Sequence, residues 1–303
     1  MAFLDNIEDY FRPGALLLVF LIALFCGRRV WLMTDMGAAF GFGAWLLIFP
    51  ESLLKFQTEG ELTPVHIVLA RCCGAWFISH ALIWWFTRAT RDGTVLITLM
   101  TSRVFSCSIL LVAQVYIQYW ANPRSKKHKW TDQHLYFGIG GTTLWLLGNL
   151  WNLLMSEDYS TYPQFNIRLN THLRLDAWIH FCCSLIFFAF PNVVITLLDP
   201  VKAGLDPIAM HLVRVTGVQC LGAAFTSLLA PGFLHENDKK MVLLTRLLMY
   251  IPFALVTALA QFQYNIINRQ LLITGCLLDG PVIINALLAL LTDVTTIYKV
   301  KAK

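Results

Sequence analysis

The sequence predicts an all-α, polytopic membrane protein with two tandem, parallel four-helix repeats behind an N-terminal apolar segment. Hydrophobic residues make up 57% of the 303 residues and charged residues 14%, whereas soluble domains carry about 25% charged residues. The chain also contains eight apolar stretches, each of about the 20 residues that a bilayer-spanning helix needs. The second half repeats the first at a nearly fixed distance, which predicts two equivalent structural units.

The repeat is carried by proline, glycine, arginine and aspartate rather than by hydrophobicity alone. Phe49-Pro50 returns as Phe190-Pro191 and Asp35 returns as Asp176, both at a shift of 141. The small slip in spacing falls in the loop after the first helix, where insertions cost least. At a shift of 143 the matching pairs are Pro64 and Pro207, Arg71 and Arg214, Gly74 and Gly217, and Arg103 and Arg246.

Turn signals divide the chain into an N-terminal apolar segment (1–29), a first unit (30–155), a polar linker (156–170) and a second unit (171–303) that ends in a basic tail. Thr63 and Asp206 precede the prolines that open two of the helices, so both are expected to be helix caps. The predicted spans are 30–49, 64–86, 94–119, 134–155, 171–190, 207–229, 241–264 and 273–296.

The N-terminal segment decides between eight and nine spans. Residues 15–26 offer only a short apolar run, which favours an interfacial helix, although 11–27 would cross a thin membrane. Its acidic flank differs from the basic start of a signal peptide, so no cleavage is expected. Because four spans per unit is an even number, the repeats are expected to be parallel, which disfavours an inverted-repeat transporter.

The C-terminal residues resemble an address signal. Lys299 and Lys301 match the dilysine KxKxx retrieval signal of endoplasmic-reticulum membrane proteins, which works only in the cytosol. The alternative is a simple basic stop after the last helix. The distribution of Lys and Arg over the loops agrees weakly with a cytosolic C-terminus. We therefore expect an endoplasmic-reticulum membrane protein whose C-terminus is cytosolic.

A short basic loop joins the third and fourth predicted helices of the first unit. It is either a solvated loop or a surface for anionic lipids, to which each basic residue can add about 1 kcal/mol. Nothing in the chain has the pattern of a nucleic-acid-binding segment. The eight cysteines lack zinc-ligand spacing and are expected to pack as small apolar residues, with no metal and no cofactor. The basic residues of the loop are Arg124, Lys126, Lys127 and Lys129.

Four arginines lie inside predicted spans, roughly 8–14 Å from the helix ends at 1.5 Å per residue. A charge at such a depth costs a few kcal/mol, so it should face protein, water or a lipid headgroup. The arginines either bind backbone carbonyls and polar groups such as Gln114, Thr142 and Asn149, or hold a lipid phosphate, or line a conducting path. The candidate phosphate ligands are Arg71, Arg103, Arg214 and Arg246.

The aspartates and histidines inside the predicted spans are weaker indications of a functional site than the arginines are. Asp35 and Asp176 stand near the starts of their helices, where the dipole favours a cap-like role. Asp176 and His180 share a helical face, and together with the nearby Cys182-Cys183 they give an acyl-transfer site as the alternative. The first unit has Ala39 in the place of His180, so the pair is not part of the shared design. For His180, as for His80 beside Trp84-Trp85, we expect a packed, hydrogen-bonded histidine.

The motifs Arg29-Val30-Trp31, Phe49-Pro50, Thr63-Pro64 and Gly74-Ala75 resemble the tumour protein p53-inducible protein 11 family. The resemblance covers about 90 residues of the first unit; the second unit lacks Arg-Val-Trp. It implies a tandem relative of a four-helix membrane unit and no enzymatic activity that could be carried over.

No enzyme motif occurs, and the loops are too short to hold a soluble active site. The expected function is that of a non-enzymatic accessory or scaffold subunit in a lipid-handling or lipid-transfer complex. Its expected partners are membrane lipids and other membrane proteins. The alternatives are an intramembrane lipid-modifying enzyme that uses Asp176, His180 or His80, and a small-solute transporter.

Overall fold

A computed structural model describes residues 18–125, 127–156, 167–198, 206–264, 277 and 279–291. The described part is almost entirely helical, as predicted, with one two-stranded ribbon. Its π-helical turns are Ile117–Ala121 and His134–Ile139, and its 3-10 turns are Asn122–Arg124 and Ala230–Gly232. The elements are α1 (18–25), α2 (Arg28–Ile48), α3 (Pro50–Gln57), β1 (Thr58–Glu59), α4 (Pro64–Thr87), α5 (Gly93–Tyr116), β2 (Lys129–Trp130), α6 (Gly140–Leu154), α7 (Ile167–Ala189), α8 (Pro191–Leu198), α9 (Pro207–Leu229), α10 (Glu236–Tyr264) and α11 (Asp279–Leu291).

Five helices of the described part are long and apolar enough to cross a membrane. They are α2, α4, α5 with its continuation to Arg124, α9 with the turn that follows it, and α10. A sixth span is obtained if α7 and α8, which meet at 84°, count as one. The π-helical turn at His134–Ile139 runs directly into α6, so the predicted 134–155 helix is present over 134–154. The chain thus fits a helical membrane protein, whereas eight or nine spans stay a prediction.

Both Phe-Pro motifs break a helix in the same way. The first break separates α2 from α3 at Phe49, and the second separates α7 from α8 at Phe190. Proline lacks an N–H and pushes the residue before it out of the helical region. Phe49 accordingly has φ −123° and ψ 53°, although its N–H still closes the last turn on Trp45 O at 2.8 Å. Phe190 does the same with Ile186 O at 3.0 Å.

Helices from the two halves of the chain interleave. The central helix α4 packs against α2 and against α10 of the second half. Helix α9 packs correspondingly against α7 and against α5 of the first half, and α4 and α9 touch each other. Helices from both predicted units therefore contribute to one bundle around α4 and α9.

Two glycines set the close contacts of the central helices. A Cβ on Gly74 would lie 2.6 Å from Gly43 O, and one on Gly217 would lie 2.9 Å from Phe188 N. Both clashes are with backbone, which cannot move aside as a side chain does. Glycine is thus needed where α4 meets α2 and where α9 meets α7.

The bundle has two ends. At one, which we call the His66 end, the starts of α4 and α9 meet through His66 and Asp206. At the opposite Arg28 end, the loops after α4 and α9 meet, because Asp92 accepts a hydrogen bond from Leu234 N at 2.7 Å. The start of α2 and the end of α6 lie at the Arg28 end, joined by a hydrogen bond from Arg28 to Ser156.

Candidate functional site

A buried ion pair joins α2 to α5 inside the apolar bundle. Arg103 Nη2 donates to Asp35 Oδ1 at 2.8 Å, and Arg103 Nε donates to Asp35 Oδ2 at 3.1 Å. Asp35 is 1% exposed and Arg103 6% exposed. The two bonds satisfy both carboxylate oxygens in the bidentate geometry that a guanidinium favours, so the charge of each residue is neutralised inside the protein.

The equivalent positions of the second half form a related pair with more partners. Arg246 Nε donates to Asp176 Oδ2 at 3.3 Å, and Arg246 Nη2 donates to Ala223 O at 3.0 Å. Ser227 Oγ donates to the same Asp176 oxygen. His180 Nδ1 lies 3.4 Å from Asp176 Oδ1 and 2.9 Å from the backbone oxygen of Asp176. Asp176 therefore sits in a buried cluster of a cation, a hydroxyl and an imidazole.

These pairs correct one expectation. Asp35 and Asp176 were expected to act as cap-like residues, but their carboxylates bind arginines of another helix. Both lie well beyond the first turn of their helices, where no free N–H remains to be capped. The reason is desolvation: a carboxylate that is buried away from water is unstable unless an opposite charge and hydrogen bonds compensate it. The helix dipole is too weak to compensate it alone.

Arg71, by contrast, has no carboxylate partner among the described residues. Its Nη1 donates to the side-chain oxygen of Gln263 at 3.1 Å, and Gln263 lies on the exposed face near the end of α10. Its Nε is buried without a hydrogen-bond partner. Arg71 is half-buried, so its cationic group reaches the outer surface of the bundle near the His66 end.

Arg214, at the equivalent position of α9, is likewise held by neutral groups. Its Nε donates to Phe188 O at 3.3 Å, and its guanidinium lies over the ring of Tyr116, 4.4 Å from the centroid. Its Nη1 is buried without a partner. The four predicted arginines thus divide into two that bind carboxylates and two whose partners among the described residues are carbonyl, amide or aromatic groups.

Near Arg71 and Arg214, three side chains form a hydrogen-bonded cluster that we call the His66 latch. Asp206 Oδ2 accepts from His66 Nε2 at 2.7 Å and faces His128 Nδ1 at 3.2 Å. Asp206 Oδ1 accepts from the N–H groups of Ile208 and Ala209, which confirms its predicted role as a helix cap. Burial alone would raise the pKa of Asp206, but the hydrogen bonds that it accepts from His66 and from the N–H of Ala209 outweigh burial and hold that pKa below its usual value.

The latch is also the group of described residues that could offer three ligand atoms to a metal, since these atoms all lie within 4.8 Å of one another. The hydrogen bonds favour another role. His66 Nδ1 accepts from the N–H of Thr63 at 3.0 Å, which places the proton of a neutral ring on Nε2, facing Asp206. Metal binding at Nε2 would require the opposite tautomer. The latch therefore serves to fasten the loop carrying His128 onto the starts of α4 and α9.

That loop carries the predicted anionic-lipid surface. Trp130 anchors it, donating from its ring N–H to Pro207 O at 3.1 Å and bonding Asn122 through its backbone. Arg124 stacks over Trp120 at 4.0 Å and is exposed, as are Lys127 and Lys129. Lys126 and the predicted retrieval residues Lys299 and Lys301 lie outside the described residues. The exposed basic residues of the loop are thus at the same end of the bundle as Arg71 and Arg214.

The histidine candidates and Cys183 lie in the protein interior, whereas Cys182 is exposed. His80 is 8% exposed, and its Nε2 has no hydrogen-bond partner. Trp76 lies between His80 and His180, with ring centroids 6.3 Å and 5.7 Å away. Cys73 and Cys183 are buried free thiols, and Cys183 packs in an apolar cluster with Trp76 and Cys220. Of the seven described cysteines, Cys73, Cys107, Cys183 and Cys220 are buried, as expected for packing residues, whereas Cys26 and Cys182 are exposed.

Comparison with known proteins places the chain in a family of unknown function. No curated protein and no solved structure matches the chain. The model of one protein family matches residues 33–291, which spans α2 to α11 and all of the buried charges described above. The chain therefore belongs to the family described as Domain of unknown function (DUF8292).

Proposed function

We propose that this protein is a non-enzymatic membrane scaffold that binds phospholipid through Arg71 and Arg214, as an accessory subunit of a lipid-handling or lipid-transfer complex. The observation that carries the proposal is the division of the intramembrane arginines. Arg103 and Arg246 have aspartate partners and hold the bundle together. Arg71 and Arg214 keep a cationic group half-buried among neutral neighbours, where a phosphate would complete the charge balance.

The surroundings of the two arginines suit an anionic headgroup. Both lie toward the His66 end, where α4 and α9 begin, and helix N-termini favour anions. The exposed basic loop with Arg124, Lys127 and Lys129 closes over the same end. A lipid with its phosphate near Arg71 would have its chains beside the exposed apolar face of α10, which includes Leu259 and Phe262.

The proposal includes the tandem-repeat architecture. Its support is that matched positions make matched contacts: Asp35–Arg103 and Asp176–Arg246 are ion pairs, and Gly74 and Gly217 are both close-contact glycines. The two Phe-Pro breaks also correspond.

In this proposal the protein has eight or nine spans. It resides in the endoplasmic-reticulum membrane with a cytosolic C-terminus, which protease protection of a C-terminal tag in sealed microsomes tests.

The main experiment compares lipid recovery from matched variants. The R71Q/R214Q double variant, wild type and Q263A are purified in mild detergent, and their bound phospholipids and partner proteins are quantified by mass spectrometry. We expect the double variant to lose most of its bound phospholipid while remaining folded. Q263A, which removes only the neutral neighbour of Arg71, should retain it. Equal phospholipid content in all three proteins, or a lipid-free wild type, contradicts the proposal.

One observation favours the enzyme alternative. The second half adds Ser227 and His180 to its aspartate, whereas the first half has Trp84 and Ala39 at the equivalent positions. In a serine nucleophile activated by a catalytic triad, the hydroxyl donates to the histidine and the histidine donates to the aspartate. Ser227 instead donates directly to Asp176. H180A discriminates between the two functions, because an enzyme would lose turnover whereas a scaffold should keep its lipids and partners.

A further inference from the structure

Two short helices at the His66 end have no part in the proposed phospholipid site. They are α3 and α8, of eight residues each, and each follows a Phe-Pro break. Their buried side chains belong to the same apolar cluster as the starts of the two central helices. The cluster includes Leu53 and Leu54 of α3, Ile195 and Leu198 of α8, Val65 and Ile67 of α4, and Ile208 and Ala209 of α9. Both short helices therefore lie where α4 and α9 begin.

The helices that precede α3 and α8 are long enough to span a bilayer by themselves. Helix α2 has 21 residues and α7 has 23, which at 1.5 Å per residue makes them about 30–35 Å long. The hydrocarbon core of a bilayer is about 30 Å thick. Helix α8 then turns by 84° from α7, so it adds almost no length along the direction of α7. Each of the two spans thus reaches a membrane surface at about its Phe-Pro motif.

Both short helices present one face to the bundle and the other face outward. In each, the first, fifth and eighth residues are buried, and the second, third and sixth are exposed. Apart from Val193, the residues at these exposed positions are polar. They are Glu51, Ser52 and Lys55 in α3, and Asn192 and Thr196 in α8. A helix with one buried apolar face and one polar face is typical of an element that lies in the plane of the membrane interface.

The outward face of α3 suits neither hydrocarbon nor bulk water. Lys55 Nζ lies 3.2 Å from Glu51 Oε2, with the two side chains 67% and 55% exposed, and exposed charges are costly in hydrocarbon. Beside this ion pair, however, Trp45 is 49% exposed and Phe56 42% exposed. The Trp45 ring N–H donates to Ser52 Oγ at 2.6 Å. A tryptophan whose N–H is bonded and whose apolar body is exposed is typical of the layer between hydrocarbon and water.

Aromatic side chains are also exposed on neighbouring elements of the same end. Phe190, at the break before α8, is 60% exposed. On the continuation of α5, Tyr119 is 65% exposed and Trp120 43% exposed. The guanidinium of Arg124 lies 4.0 Å from the centroid of the Trp120 ring. Aromatic residues of this kind form the belts that lie at headgroup level in membrane proteins, and a stacked arginine keeps its charge available to the headgroups.

From these features we infer that α3 and α8 lie in the plane of the membrane, within the headgroup layer of one leaflet, where their outward faces bind phospholipid headgroups. Lys55 offers N–H groups to phosphate oxygens, and Asn192 and Thr196 offer neutral hydrogen-bonding groups. Helices α2 and α7 then each cross the bilayer completely, and α8 is not the second half of a broken span. The inference is independent of the proposed phospholipid site, because Arg71 lies about 10 Å along α4 from its start.

The test measures the depth of single nitroxide labels on the full chain in phosphatidylcholine vesicles. Each label is attached to a p-acetylphenylalanine introduced at one position, which leaves all native cysteines in place. Collisions of the label with oxygen report hydrocarbon, and collisions with a water-soluble nickel complex report water. The test positions are Lys55 and Val193. A label at Val112, which is 61% exposed on α5, marks the hydrocarbon, and a label at Asp132, exposed in the loop after β2, marks water.

We expect the labels at Lys55 and Val193 to lie at the same depth, close to the lipid phosphates. Their collision rates with nickel should be several-fold above the rate at Val112 and several-fold below the rate at Asp132. If the label at Val193 is as deep as the one at Val112, α8 enters the hydrocarbon and the inference is wrong. It is also wrong if the labels at Lys55 and Val193 are as accessible to nickel as the one at Asp132.

Two further arms keep the test decisive. Thr196, on the same exposed face of α8, takes the label if the Val193 variant does not fold. The measurement is repeated in R71Q/R214Q, where loss of bound phospholipid should leave the depths of both labels unchanged. Labels at headgroup depth in a protein that retains no phospholipid would thus contradict the proposed function and leave this inference standing.

Discussion

Arg103 and Asp35 are joined by two hydrogen bonds, 2.8 Å and 3.1 Å long, across α2 and α5, with both side chains almost completely buried. The guanidinium also lies 5.8 Å from the centroid of the Trp145 ring. An isolated charge at this depth would cost several kcal/mol, whereas the pair is neutral and hydrogen-bonded. The pair thus fixes how α2 and α5 sit against each other.

The first prediction concerns this pair. R103M removes the cation and leaves the Asp35 carboxylate buried alone, so we expect it to destabilise the protein by about 3–5 kcal/mol. D35L/R103M removes both charges and should recover much of that loss, because two apolar side chains need no partner. Thermal unfolding of the purified variants in detergent measures both. If the loss of stability in D35L/R103M equals the sum of the losses in R103M and in the single variant D35L, the two side chains do not interact.

The second prediction concerns the close-contact glycines. A methyl group on Gly74 or Gly217 meets backbone atoms at 2.6 Å and 2.9 Å, so G74A and G217A should each destabilise by about 1–3 kcal/mol through overpacking. Gly41 has no atom within 4 Å of its Cβ position, and G41A should be neutral or stabilising since alanine favours helices. Thermal unfolding in one detergent compares the three. Equal stability of G74A and G41A would show that α2 and α4 can separate at no cost.

Much of the helical layout was predictable from the sequence, because hydrophobicity and turn residues act locally. Thr63-Pro64 and Asp206-Pro207 mark the starts of α4 and α9, and both Phe-Pro motifs end a helix where they stand. Phe190-Pro191 and Phe49-Pro50 were expected to end spans, and the short helices α3 and α8 that follow them were not foreseen. A proline at the first turn of a helix allows both outcomes.

The partners of the charged residues were less predictable, because they depend on helix packing between distant segments. The repeat singled out Arg103 and Arg246 and also Asp35 and Asp176. Opposite charges that recur together inside spans were a signal for pairing, since neither is stable alone in an apolar interior. The hydrogen bond from Ser227 to Asp176, by contrast, depends on how α9 packs against α7. No local pattern indicates which of several buried hydroxyl groups will face a carboxylate.

The third prediction concerns that hydroxyl. Ser227 Oγ donates to the Asp176 carboxylate, which is fully buried. S227A should therefore destabilise the protein by about 1–3 kcal/mol, the cost of an unsatisfied buried polar group. S108A is the control, since the partner of the Ser108 hydroxyl among the described residues is Val104 O of its own helix. Chemical unfolding in mixed micelles measures the difference, and identical midpoints for S227A and S108A would argue that Asp176 is satisfied by Arg246 alone.

The fourth prediction concerns the His66 latch and its pH dependence. In D206N the amide oxygen can still cap α9, but an NH₂ group replaces the acceptor that faces His66 and His128. We expect D206N to be about 1–3 kcal/mol less stable than wild type at pH 7.

Because the pKa of Asp206 is held below its usual value, the carboxylate contributes fully to stability above about pH 4, and its contribution is lost as the pH falls through the lower pKa of the folded state. Thermal unfolding from pH 7 to pH 3 should show a gap in stability between the two proteins that closes only at the acidic end. D132N, an exposed change in the same loop, should match wild type throughout, and a D206N curve that coincides with it would mean that the latch contributes nothing to stability.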